Sequence, residues 1–152
     1  MHLVVAVCAL LTLSSCSVIK ETVDGAKEGF REAEALRISN STVAQINSGH
    51  YTLALPMLEK AILLAPNNPY IQKNLGITLV AAGDPKRAIN FLQKALVSLP
   101  TDSSLIQEIS LAYVRMGMFE KARQELELYS AKSGDHSAAI IAHIRALREQ
   151  ER

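Results

Sequence analysis

Apolar and polar positions alternate along this chain in four distinct ways. Residues 3–13, Leu-Val-Val-Ala-Val-Cys-Ala-Leu-Leu-Thr-Leu, form an uncharged run. Ile19, Val23, Ala26, Phe30 and Ala33 then step by 4, 3, 4 and 3, the stripe of one helix face. Between 35 and 136 a longer rhythm takes over, in which Gly49, Gly83 and Gly117 stand 34 residues apart. Ala54, Ala88 and Ala122 keep that step, as do Leu58, Leu92 and Leu126, and the pair Pro66 and Pro100. Finally Ile140, Ile144 and Leu147 fall at i, i+4 and i+7, backed by Arg145, Arg148, Glu149, Glu151 and Arg152. The first run is shorter than the roughly 20 residues a membrane-spanning helix needs. The second predicts a marginal helix, since Gly25 and Gly29 each cost roughly 1 kcal/mol relative to Ala. The third predicts three like units stacked on one another, and the fourth a terminal helix that is apolar towards the stack and charged towards water.

Each repeating column has a physical reason. In residues 69–102, Leu75, Gly76 and Leu79 lie on a first helix, and Ala88, Leu92 and Ala95 on a second. The small residue at Gly76 lets the two helices approach closely. Gly83 supplies the left-handed residue that closes the first helix. Asp84 can cap the next helix, and Pro85 fits its first turn. Pro100 ends that helix, because a residue before proline disfavours the α region. A period of 34 with these residues resembles the tetratricopeptide repeat (TPR). Residues 35–68 match in Gly49, Ala54, Leu58, Ala61 and Pro66, but carry Ser41 and Thr42 where Leu and Gly are usual. Residues 103–136 keep Ile109, Ser110, Tyr113, Gly117, Ala122 and Leu126, with Tyr129 in place of Ala and Gly134 in place of the terminal proline. The resemblance implies an all-α fold, an α-solenoid of three TPR helix pairs (35–68, 69–102, 103–136) plus a C-terminal capping helix at 137–152.

The front end reads as an address. The uncharged run has the length of a secretory h-region, and Leu13-Ser14-Ser15-Cys16 resembles a bacterial lipobox. That resemblance implies a lipoprotein signal peptide at 1–15, cut before Cys16, whose sulfur then carries diacylglycerol. Several acyl chains anchor stably where a single chain is marginal. An ordinary cleaved signal with a coincidental cysteine is the alternative. Ser17 after the cysteine favours the outer membrane, periplasmic side, by resemblance to enterobacterial lipoproteins. Cys8 would leave with the signal, so the mature chain would hold no disulfide. Residues 16–34 then comprise the lipidated cysteine and a spacer. The stripe there could also dock on the first repeat, or order only with a partner.

Stacked repeats leave an extended concave surface, which the first helix of each TPR pair lines. Projecting the family's groove positions onto this chain gives Asn40, Val43, Asn47, Tyr70, Lys73, Asn74, Ile77, Gln107, Glu108, Leu111 and Arg115 as a candidate partner-binding groove, with Ser39 a further polar candidate. Val43, Ile77 and Leu111 make one apolar column; Ile46, Val80 and Val114 make a second, which either faces the groove or packs between repeats. An apolar stripe flanked by amides suits an apolar peptide or amphipathic helix. Some TPR domains clamp a C-terminal carboxylate, but of those positions only Asn74 matches here, the others being Ser39, Val43, Ser104 and Glu108.

Nothing in the sequence calls for chemistry. There is no His-Glu-x-x-His, no Gly-x-Ser-x-Gly and no phosphate-binding glycine loop, and His50, His136 and His143 have no metal spacing. The expectation is a non-enzyme with no cofactor, no metal and no small-molecule substrate. A net charge of +1 gives no broad basic field for nucleic acid. The architecture resembles the small TPR lipoproteins of pilus and secretion systems, including the pilotins of type IV and Tad pili. That resemblance implies a lipid-anchored periplasmic adaptor that binds a protein partner in assembling an envelope machine. A scaffold recruiting peptidoglycan hydrolases or proteases is the alternative.

Overall fold

The computed structural model describes residues 2–134 together with 142, 143, 145–147 and 149, with side chains from Val18 onward. Six helices follow one another: α1 (His2–Asn47), α2 (Tyr51–Leu64), α3 (Pro69–Ala82), α4 (Pro85–Ser98), α5 (Ser103–Arg115) and α6 (Phe119–Ser133). No strand occurs among the described residues. The end of α1 pairs with α2, α3 with α4 and α5 with α6, and each pair packs on the next. The three expected helix pairs are therefore present. Residues 142, 143, 145–147 and 149 are helical, and Leu147 is buried in the main core, as the capping helix requires. The Cys16 side chain lies outside the described residues, as do His136, Ile140, Ile144, Arg148, Glu151 and Arg152.

Local chemistry accounts for the breaks between helices. Gly49, Gly83 and Gly117 have φ of 76°, 90° and 72°, the left-handed region in which a Cβ is unfavourable. That requirement recurs once per repeat, which is why the glycines do. Asn68 caps α3 by accepting from the Tyr70 and Ile71 amides at 3.1 and 3.3 Å. Asp84 caps α4 through the Arg87 amide at 3.2 Å, with Pro85 in the first turn. Asp102 caps α5 through the Ser104 amide at 3.1 Å. By contrast, no glycine, proline or cap interrupts Ala33-Glu34-Ala35-Leu36. The striped segment and the first helix of the first repeat accordingly form one continuous helix, α1. Its packing begins where Ala35 and Ile38 are buried against Ala61, Ala65 and Ile71. Earlier in α1 the apolar stripe stays open, with Val18, Ile19, Val23 and Phe30 exposed.

Packing inside each pair repeats the same contact. Leu58, Leu92 and Leu126 are fully buried, each worth about 1.5–3 kcal/mol relative to exposure. Gly76 faces Leu92; Thr42 and Ser110 hold the same register one repeat to either side, and all three are buried. A Cβ on Gly76 would lie 2.5 Å from Leu92 Cγ and 2.6 Å from Cδ2, so glycine is what lets α3 and α4 come together. The two hydroxyl residues keep the site small at the cost of a buried polar group, which must find a partner. Thr42 Oγ1 donates to the Ser39 carbonyl at 2.7 Å. Ser110 Oγ lies 3.4 Å from His143 Nε2 of the terminal segment. The departure from Leu-Gly at Ser41-Thr42 is thus accommodated without losing the helix contact.

Candidate protein-binding groove

The first helices line up side by side. α1 contacts α3 and α3 contacts α5, whereas α2, α4 and α6 have no mutual contacts of that extent. The row α1–α3–α5 is therefore the inner, concave side of the stack. On it a residue every third or fourth position forms a stripe across each helix: Asn40, Val43 and Asn47 on α1; Tyr70, Asn74 and Ile77 on α3; Glu108, Leu111 and Arg115 on α5.

The structure sorts the candidate groove residues into three groups. Asn40, Val43, Asn47, Tyr70 and Gln107 are exposed, and their side chains make no hydrogen bond or ion pair among the described residues. Ile77 and Leu111 are half-buried and pack against the main core. Val43, 40% exposed, is thus the openly presented member of its column. Lys73, Asn74 and Arg115 hold neighbouring repeats together, which leaves Glu108 outside these groups. Lys73 Nζ meets Asp102 Oδ2 at 2.6 Å. Asn74 Nδ2 donates to Ser39 Oγ at 3.0 Å, and Ser39 itself is buried. Arg115 Nη1 donates to the Val80 carbonyl at 2.5 Å. The second apolar column packs between repeats: Val80 is buried, and Ile46 and Val114 lie against the same core.

Asp102 has a double role that its position alone did not disclose. It caps α5 and also receives Lys73 from the preceding repeat. Burial pushes its carboxyl up, but the Lys73 and Ser104 hydrogen bonds outweigh that and leave it below its ordinary value. Asn68, one period earlier, repeats the device: it caps α3 while its Nδ2 donates to Glu32 Oε1 at 2.9 Å. The signal was a capping residue recurring in register, at 68 and 102.

Glu108 differs from its neighbours. It is half-buried in the groove and has no hydrogen bond or ion pair among the described residues. Burial pushes its carboxyl up, more than Arg115 and Lys73 draw it down.

A second concavity lies on the opposite side, between α4 and α6. A cleft of about 460 Å³ is floored by Ile106 and lined by Leu96, Val97, Leu128 and Tyr129. Tyr129 stands where the repeat pattern has alanine, and its hydroxyl donates to the Thr101 carbonyl at 3.2 Å. Among the described residues there is no group of three or more His, Cys, Asp and Glu side chains placed to hold a metal. No described helix is long and apolar enough to cross a membrane.

Comparison with known proteins agrees with this geometry. A tetratricopeptide repeat family model matches residues 45–109 and again 79–144. The photosystem I assembly protein Ycf3 of Prochlorococcus marinus (strain NATL2A) is 32% identical over 90 residues, covering 57% of this chain. The chain spans about half of that relative's length, 52%. The Sgt2 TPR domain of Aspergillus fumigatus superposes with a TM-score of 0.67 at 21% identity, covering 77% of this chain and 78% of that one. The second TPR domain of human RPAP3, solved with the HSP70 peptide SGPTIEEVD, gives 0.66 at 12% identity, covering 80% and 98%.

Proposed function

The chain belongs to the tetratricopeptide-repeat family, and we propose that it is a lipid-anchored periplasmic adaptor that holds a protein partner in its groove during assembly of an envelope pilus or secretion machine. The repeats are a protein-interaction scaffold. The observation that carries the reading is the inner row of first helices, which presents Asn40, Val43, Asn47, Tyr70 and Gln107 to solvent. Exposed amides beside an aliphatic side chain suit a segment read by a few anchors. The Prochlorococcus relative is named as an assembly protein, which supports assembly as the role. The lipobox-like Leu13-Ser14-Ser15-Cys16 supports the anchor and the outer-membrane address.

Site-specific photo-crosslinking in cells tests both halves. A photoreactive residue at Tyr70 or Gln107 should give an adduct with an envelope-machine subunit. The same group at Leu63 or Val97, exposed on the second helices, should give none. Cys16→Ala should release the chain from the membrane fraction and abolish fatty-acid labelling. An adduct with a peptidoglycan hydrolase would move the assignment to the scaffold reading. Adducts from Leu63 and Val97 alone would place binding on the outer face.

A further inference from the structure

The groove carries four charged side chains: Lys73, Asp102, Glu108 and Arg115. Three of them are engaged inside the protein. Lys73 and Asp102 neutralise one another at 2.6 Å. Arg115 is held to the Val80 carbonyl at 2.5 Å, at the far end of the α5 stripe, and acts on Glu108 only through its charge and not through an ion pair. Glu108 alone is left with no hydrogen bond or ion pair among the described residues. It is half-buried on α5, within reach of the charge of Lys73 on α3. One helical turn further along the same stripe stands Leu111, which like Ile77 on the neighbouring helix is half-buried against the main core.

We infer that Glu108 is the specificity residue of the groove, and that the segment it selects pairs an aliphatic side chain, seated on Ile77 and Leu111, with a lysine or arginine one helical turn away. The inference rests on the groove reading above and names the chemistry of its occupant. A half-desolvated carboxylate with no hydrogen bond loses water contacts, and the more distant charges of Arg115 and Lys73 offset only part of that loss. An incoming ammonium or guanidinium supplies a charge-assisted bond at that point. An acidic segment would meet like charge at the same position, which is the repulsive half of specificity. Burial raises the carboxyl of Glu108, and a bound cation would bring it down again. The protein as a whole offers no negative field to explain such a preference, because its net charge is +1.

The test uses the full chain and two designed amphipathic helical peptides with identical leucine faces. One bears lysines on its polar face and the other glutamates. Fluorescence anisotropy reads binding to the wild type, Glu108→Gln and Glu108→Lys. The lysine peptide should bind the wild type best. Glu108→Gln should weaken it by roughly tenfold, the order expected for one hydrogen bond to a charged group. Glu108→Lys should shift the preference to the glutamate peptide. Equal binding of both peptides by the wild type, with Glu108→Gln unchanged, would overturn the role of Glu108 and leave the groove standing. Binding that persists in Val43→Asp, or binding of neither peptide, would overturn the groove reading itself.

Discussion

Gly76→Ala isolates the contact on which the middle helix pair depends. Two effects oppose each other. Replacing a glycine inside a helix by alanine favours the helix by about 1 kcal/mol. The new methyl, however, would stand 2.5 and 2.6 Å from two carbons of Leu92. Leu92 is fully buried and surrounded by core, so it has no solvent-facing rotamer to retreat to. Overpacking of that kind costs about 1–3 kcal/mol. The clash should win, giving a net loss of up to about 2 kcal/mol, or a few degrees in Tm for a chain of this size. Chemical denaturation followed by far-UV circular dichroism measures it. Gly29→Ala is the control, because nothing lies within 4 Å of a Cβ there and only the propensity gain remains. A double variant separates the causes. Leu92→Ala alone should cost about 2–5 kcal/mol, but in its background Gly76→Ala should become stabilising. A midpoint for Gly76→Ala at or above the wild type, or a double variant showing no reversal, would refute the close-packing account.

Three further outcomes are expected. Ala88→Arg, which drives a long cation into a fully buried site on α4, should cost several kcal/mol and remove the cooperative melt seen by calorimetry; an unchanged melt would contradict the packing described. Asp102→Ala should lose about 1 kcal/mol of capping and a few tenths more from Lys73, while Asp102→Asn keeps the cap and loses the pair alone. Because the folded Asp102 carboxyl lies below its ordinary 3.8, its contribution is present above about pH 4 and is lost as pH falls through the lowered value, so the wild-type advantage over Asp102→Asn should shrink in acid titrations. Glu108 has the opposite sign: its folded carboxyl is raised, so its ionisation opposes folding as pH rises through that value, and Glu108→Gln should melt no lower than the wild type at neutral pH.

The repeat was legible because its determinants are local and recur. A left-handed residue after each first helix is a backbone requirement that glycine meets at the least cost, and Gly49, Gly83 and Gly117 announce it without any knowledge of neighbours. Small residues facing a large one, as at Gly76 and Leu92, follow from helix geometry. Capping by Asp84 with Pro85 behind it depends only on four consecutive residues. These features were enough for three helix pairs and the turns inside them, but not for the start of the first, where the striped segment runs on into one helix, His2–Asn47.

What a polar side chain does in the groove is set by its neighbours one repeat away, and only the tertiary structure decided that. Lys73, Asn74 and Arg115 look in sequence like groove contacts. Folded, they bridge repeats to Asp102, Ser39 and the Val80 carbonyl, partners 29 or 35 residues distant. The apolar column behaved likewise: Val43, Ile77 and Leu111 share one helical register, yet Ile77 and Leu111 pack against the main core while Val43 stays exposed on α1. Glu108 stands out for the same reason, since a missing partner is visible only after every neighbour is in place. Sequence alone determined the repeats, because their turns and close contacts are local. Tertiary structure decided which side chains were left over, because inter-repeat contacts depend on how one helix lies against the next.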